Sequence, residues 1–306
     1  MSSNLPQVAV LLAAYNGISW IEEQLASIQA QRLVEVSIYI SVDPSTDGTE
    51  AWCAEYASTQ PNTYLLPPSG RFGGAARNFF RLIRDVDVSG FDYICFSDQD
   101  DIWYRNKLER AVAKLREANI DGYSSNVVAF WPDGRRILVN KSQPQVQCDY
   151  LFEAAGPGCT YVLSKPLAMA LKSAVLQQWD QVQEVAMHDW YCYAFARCNG
   201  FNWFIDPVPG MDYRQHAKNQ VGVNMGLASA LSRLRQVALG GWFAQVQLID
   251  SLTHDGRTAL QKRVDLVSRL SYVCLAVRFR GCRRRRRDQW AFAALCLLMA
   301  MFGGLS

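Results

Sequence analysis

The 306-residue chain is poor in the residues that build soft-metal and redox centres: it has three histidines, and none of its nine cysteines stands in a CxxC pair. Zinc-ribbon and dithiol chemistry are thereby excluded. The scattered, odd set of thiols fits a reducing, cytosolic setting instead. A secretory leader is lacking too, because "MSSNLPQVAVLLAAYNG" has no basic start and its apolar run is short. The body is therefore expected to stay unexported. Basic residues are scarce outside one stretch: the net charge is +3, yet seven arginines lie between Arg278 and Arg287 with no acid among them, so the rest of the chain is acidic. That distribution argues against a nucleic-acid-binding body and for one basic patch near the C-terminus. Repeats and low-complexity linkers are also missing.

What is present is a globular composition, 50% hydrophobic and 19% charged, on a chain long enough to bury a large core. The first hundred residues alternate short apolar runs with helical spacing, the pattern of a largely parallel sheet wrapped by helices. Strands are expected at "VAVLLAA", "VEVSIYISV", "TYLL" and "DYICFS". Helices are expected through Ile21, Leu25 and Ile28, through Trp52 and Tyr56 behind a capping Asp47, and over "AARNFFRLIRD". Beyond Tyr123, "NVVAFWPDGRRILVN" reads as a hairpin turning at Asp133-Gly134. A helix is expected around "MHDWYCYAFARCNG" and a strand at "FNWFID". After about Val223 the chain reads as amphipathic helices, for example Leu227, Leu231 and Leu234 opposite Arg233 and Arg235. The domains expected are 1–222 and 223–306.

The segment "CFSDQDDIW" crowds Asp98, Asp100 and Asp101 at the carboxyl end of the fourth strand. Ligands of open α/β sheets gather at such ends, which also draws in "AYNG" and "DPSTDGT" after the first two strands. Carboxylates this close repel one another unless a cation or many donors neutralise them. An EF-hand fails, since Ile102 and Trp103 stand where a ligand and a glycine are required. A helix cap accounts for Asp101 alone. A Mg2+ or Mn2+ ion bridging the acids to a diphosphate accounts for the rest. Two other signals are His188-Asp189, which spacing leaves open between a helix-terminal acid and a catalytic one, and "YRQH", where Arg214 and His216 stand in a polar loop that could meet a diphosphate. His254 has no such setting.

"VAVLLAAYNG", "SVDPSTDGT", "GGAARNF", "FSDQDDIWYRNKL", "GCTYVLS", "HDW" and "YRQHAKNQVG" follow one another over Val8 to Gly222. In this order they resemble family-2 glycosyltransferases with the α/β GT-A fold, a mostly parallel sheet flanked by helices. The nearest resemblance is to bacterial rhamnosyltransferase-like enzymes of O-antigen and capsule assembly. It implies that Asp100 binds the metal and that Asp98 assists it or holds the ribose; His216, from its place beside Arg214 in the polar loop, is the candidate third ligand. It implies further that Asp43 and Tyr15 meet the pyrimidine base, that Arg77 and Arg214 meet the nucleotide and its diphosphate, and that Asp189 is the general base. Val42 and Pro44 depart from the "DDGSTDGT" of many relatives, and Ala13 or Ala14 stands where many keep a hydroxyl.

The resemblance implies an inverting enzyme that moves a hexose, L-rhamnose from its dTDP donor, to a lipid-linked saccharide. A sugar nucleotidyltransferase is the rival enzyme, but "AAYNGISW" lacks the basic residues of a triphosphate loop. A membrane-docked saccharide-binding protein would leave the aspartates without a reason. At the C-terminus the arginine run abuts sixteen apolar-rich residues, Trp290 to Leu305, short of the about 20 that span a bilayer. The expectation is a helix lying on an anionic, cytoplasmic inner-membrane face, with the enzyme peripherally bound.

Overall fold

The computed structural model describes residues 5–117, 119–216, 241–253 and 269–302. Its central sheet grows from β1 (Gln7–Ala14), which pairs in parallel with β2 (Glu35–Val42) and β4 (Tyr93–Ser97). All of β1 beyond Gln7 is buried, as a strand covered on both faces must be. Even-numbered Val8, Val10 and Leu12 pack toward α1 (Ile21–Gln29) and Cys53 of α2 (Thr49–Thr59). Odd-numbered Ala9, Leu11 and Ala13 pack toward α3 (Ala75–Asp85) on the other side. The period-two alternation of a strand thus divides one apolar run between two cores.

The strand register sets the site. Ala14 lies beside Val42 and Leu12 beside Ser97, so Tyr15, Asp43 and Asp98 leave the sheet at one edge. The sheet runs β10-β6-β9-β4-β1-β2-β3, with β3 (Thr63–Leu65), β6 (Gly122–Ser125), β9 (Val162–Ser164) and β10 (Trp203–Asp206). It is mixed: β9 runs antiparallel to both β4 and β6, and the other pairings are parallel. Because β9 runs backwards, its leading segment, the 3-10 turn Gly158–Thr160, arrives at the carboxyl edge of β4. A smaller sheet, β5-β11-β7-β8, contains the expected hairpin of β7 (Val127–Phe130) and β8 (Arg136–Val139), with Gly134 in the left-handed region at φ +84°. In it β5 (Ile102–Trp103) pairs antiparallel with β11 (Met211–Arg214), which carries Arg214 and His216 back to the aspartates.

Helices α4 (Lys107–Leu115), α5 (Lys165–Gln177), α6 (Trp179–Val182) and α7 (His188–Cys198) complete the flanks. Near the C-terminus are α8 (Gly241–Thr253), α9 (Arg269–Val277) and α10 (Arg286–Phe302). They share a hydrophobic cluster with α3, α5 and α7: Phe292 and Cys296 of α10 are buried, and the Phe292 ring lies 4.9 Å from that of Phe152. The expected boundary near residue 222, the helix carrying Leu227 to Arg235, and His254 lie outside the described residues. All nine cysteines are free thiols.

Candidate active site

An open cleft of about 1340 Å³ spans the carboxyl edge of the sheet, and Tyr15, Asp43, Asp98, Asp100, Asp189 and His216 all line it. Its floor is the first two loops sewn together. Asn16, at φ +48°, accepts from the Thr46 amide at 2.8 Å, while Gly17 N–H donates to Thr49 Oγ1 at 2.9 Å and Ile18 N–H to Asp47 Oδ2 at 3.2 Å. Asp47 also accepts from the Thr49 amide, so the "TDGT" sequence fastens the loop as well as opening α2. Gln99, set between two acids, clasps Tyr15: its Oε1 accepts from the Tyr15 amide at 2.6 Å and its Nε2 donates to the Tyr15 carbonyl at 2.8 Å. A Cβ on Gly17 would lie 2.3 Å from Gln99 Oε1, which is why glycine stands there. The Tyr15 side chain is left exposed. Asp43, buried, accepts from the amides of Phe72 at 3.0 Å and Gly73 at 2.9 Å. It thereby folds the 70–74 loop over the cleft and brings Arg71 into its lining.

The three aspartates divide by burial. Asp98 and Asp100 face the cleft; burial, and then the charge of Asp100, push the Asp98 carboxyl up to about 7. Asp101 is 1% exposed and faces inward, where its Oδ1 accepts from the Arg214 amide at 3.1 Å. The capping role considered for it fails, because β5 intervenes before α4 begins at Lys107. Burial raises Asp101 well above the carboxylate range and also raises Cys159 beside it. That leaves the hard oxygens of Asp98 and Asp100 as the cleft-facing donors, a set suited to Mg2+ or Mn2+. His216 Nε2 lies 2.8 Å from Asp100 Oδ2, and its ring stacks on Trp20 at 4.0 Å between centroids. In this arrangement His216 orients Asp100.

Asp189 opens α7. Burial pushes its carboxyl up to about 6, against its hydrogen bond from the Trp190 amide at 2.7 Å. His188 beside it is sandwiched by aromatic rings, stacked on Phe79 at 3.9 Å and edge-on to Phe96 at 5.5 Å. Its Nε2 has no hydrogen-bond partner, and burial lowers its pKa to about 3. It is a neutral ring that packs the start of the helix. Gly158 closes over both residues: a Cβ there would lie 2.6 Å from His188 Nε2 and 3.0 Å from Asp189 Cβ.

Two expected site residues turn away from the cleft. Arg77 donates to the Gln183 carbonyl at 2.8 Å and faces Glu184 at 3.9 Å. Arg214 donates to the Asp100 carbonyl at 2.8 Å, pairs with Glu23 of α1 and lies over the Phe130 ring. Neither lines the cleft, because neighbouring carbonyls and acids hold both guanidiniums. The arginine run, expected as a solvated membrane patch, is partly interior. The Arg284 side chain is 0% exposed, paired with Asp149 at 2.9 Å and donating to the Ala154 carbonyl at 2.6 Å, while Arg283, Arg285 and Arg287 line the cleft with Lys141. Gln99, Arg71, Lys141 and Gly158 escaped the sequence reading; only Gln99, inside the acidic motif, and Gly158, inside "GCTYVLS", had a signal that could have found them.

The fold, an α/β mixed sheet with acids at the carboxyl edge and a helix-borne acid facing them, is that of a nucleotide-sugar-dependent transferase. The chain belongs to Glycosyl transferase family 2, whose pattern matches residues 9–155. It is 43% identical over 294 residues, 95% of this chain and 100% of the relative, to dTDP-rhamnosyl transferase RfbG of Shigella flexneri. It is 25% identical over 52% of this chain and 61% of the relative to the Escherichia coli UDP-Glc:alpha-D-GlcNAc-diphosphoundecaprenol beta-1,3-glucosyltransferase WfgD. S. aureus TarS 1-349 in complex with UDP-GlcNAc shares its fold at a TM-score of 0.57 and 14% identity, over 96% of this chain and 81% of that one. The chain is a glycosyltransferase.

Proposed function

We propose that this enzyme transfers L-rhamnose from dTDP-rhamnose, with inversion and in a metal-dependent reaction, to a hydroxyl of a lipid-linked saccharide. The carrying observation is Asp189, a half-buried carboxyl at the cleft with its pKa lifted toward neutrality, as a general base requires. The donor choice follows the name of the Shigella relative, and the diphospholipid acceptor that of the Escherichia coli one. Tyr15, Asp43 and Arg71 hold the nucleotide. Asp98 and Asp100 hold the cation, with Asp100 aligned by His216. Bound there, Mg2+ or Mn2+ supplies positive charge to the leaving nucleotide diphosphate. Asp189 takes the acceptor hydroxyl proton as that oxygen attacks the anomeric carbon and the bond to the nucleotide diphosphate breaks, so one displacement suffices.

No helix of the described residues is long and apolar enough to cross a membrane. Leu270, Val273 and Val277 of α9 nevertheless form one exposed stripe, and Trp290, Leu297, Leu298 and Met301 of α10 another. Exposed Arg278, Arg280 and Arg286 stand at the turn between the two helices. This hairpin rests on the anionic inner leaflet, apolar side down, where a lipid-linked acceptor resides.

The test is a panel of nucleotide sugars assayed against a diphosphopolyprenyl saccharide, with Mg2+ or with EDTA. A rhamnosylated product of inverted anomeric configuration, made only with dTDP-rhamnose and metal, is the expected result. Transfer from UDP-sugars instead, or undiminished transfer in EDTA, would overturn the donor or the metal assignment respectively. Pyrophosphate release from a nucleoside triphosphate would indicate a nucleotidyltransferase.

A further inference from the structure

The cleft has a cationic wall as well as an acidic one. Lys141, just after β8, and Arg283, Arg285 and Arg287, around the start of α10, line it together. The acids nearby are largely committed. Asp149 is shared by Arg284 and Arg197, Glu153 by Arg284 and Arg283, and Asp288 lies 3.3 Å from Arg287. Among the described residues no carboxylate comes within 4.0 Å of Lys141 or Arg285 in an ion pair. Arg283 Nε is buried without a hydrogen-bond partner. Desolvation at the cleft wall, and then the charges of Arg284 and Arg283, hold the exposed Lys141 below the ordinary lysine value against the pull of Glu153. Cations gathered in this way repel one another unless an anion joins them.

We propose that Lys141, Arg283, Arg285 and Arg287 bind the diphosphate of the acceptor. Two phosphates match the guanidinium forks of Arg285 and Arg287, each able to grip a pair of phosphate oxygens, while Arg283, one arm of which donates to the Phe152 carbonyl at 2.6 Å, and the Lys141 ammonium add charge. The buried Arg284 pins the run in place, so its neighbours meet the ligand with little reorganisation. The site also lies near the chemistry, since the charge of Lys141 acts on Asp189. Arg285 and Arg287 stand at the head of the helix whose outer stripe is apolar, which puts the anion site next to the surface that would receive a lipid chain. The inference rests on the proposed lipid-linked acceptor and adds how the protein recognises it.

The experiment compares wild type with Lys141→Ala and with Arg285→Ala/Arg287→Ala in neutral detergent, on two acceptors carrying the same saccharide. One is a lipid diphosphate and the other an alkyl glycoside without phosphate. For the diphosphate acceptor KM should rise about tenfold or more, while KM for the glycoside and for dTDP-rhamnose should stay within about twofold. Equal losses on both acceptors, or a rise in donor KM alone, would refute the site. Weaker sedimentation with phosphatidylglycerol vesicles at unchanged acceptor KM would assign these cations to bulk headgroups and also refute it. If wild type glycosylates neither acceptor, the proposed function fails by itself. The site is then decided by calorimetry with inorganic pyrophosphate in EDTA: binding by wild type that the variants lose supports it, and equal binding or none refutes it.

Discussion

Two walls of the cleft crowd like charge, and they are built differently. The acids Asp98, Asp100 and Asp101 lie within four consecutive positions at one strand end, where buried Asp101 faces inward with its carboxyl raised and the other two remain at the cleft. The cations come from just after β8 and from around the start of α10, and Asp149 and Glu153 hold only part of them in pairs. On the acidic wall the repulsion shows in the raised carboxyls of Asp98 and Asp101. On the basic wall internal carboxylates relieve part of it. Asp189 lies between the two walls: the charge of Lys141 acts on its carboxyl, and its own charge helps to raise Asp98.

The largest effect that would break this comparison is expected at Asp189. Asp189→Asn keeps the shape but cannot take a proton, so turnover should fall by ~10²–10⁴-fold with donor affinity nearly unchanged. Because burial raises this carboxyl to about 6, it must lose its proton before it can act as a base. The kcat/KM of wild type should therefore rise with pH through about 6 and level off above it, and the residual activity of the variant should lack that limb. Near-normal turnover of a well-folded Asp189→Asn would place the base elsewhere.

The acidic wall was legible in the sequence because its members are neighbours along the chain. A strand end, three aspartates and two loops on adjacent parallel strands suffice to bring Tyr15, Asp43, Asp98 and Asp100 together. The basic wall was not, since nothing local says that Arg284 points inward to Asp149 or that Lys141 meets Arg283; those depend on how α10 docks. Arg77 and Arg214 misled for the same reason. Their sequence neighbourhood resembles a binding motif, but Gln183, Glu184 and Glu23 claim their guanidiniums from elsewhere in the fold. The mixed direction of the sheet was equally hidden, because a three-residue β9 carries no periodicity from which its direction could be read.

On the basic wall the next effect is one of stability. Arg284→Ala removes a guanidinium from buried Asp149 and from cleft-lining Glu153, and burial already holds Asp149 above its ordinary pKa in spite of Arg284 and Arg197. Leaving such charges uncompensated costs ~3–5 kcal/mol. Denaturant unfolding should show that loss. A much smaller change would mean that the run does not anchor α10.

Smaller again is the effect at the hinge between the walls, where Gly158→Ala drives a methyl into His188 and Asp189. The imidazole cannot swing aside because Phe79 and Phe96 enclose it. Overpacking of this kind costs ~1–3 kcal/mol. The displaced Asp189 should lower kcat more than it raises donor KM, and parallel losses in both would point to general misfolding.

The smallest expected effect separates two arginines that the chain places six residues apart. Arg71 lines the cleft on the loop held by Asp43, whereas Arg77 is half-exposed and tied to the Gln183 carbonyl and Glu184 on the outside of α3. A charge-assisted hydrogen bond to a ligand contributes ~1.5–3 kcal/mol, so Arg71→Ala should raise the donor KM by about tenfold or more. An exposed pair such as Arg77–Glu184 contributes ~0–1 kcal/mol, so Arg77→Ala should leave donor KM within about twofold and move stability little. Measuring both on the same nucleotide sugar sharpens the boundary of the donor side. If Arg77→Ala proves the more damaging, α3 must turn that side chain into the cleft when donor binds, and the resting contacts with Gln183 and Glu184 would be what the donor displaces.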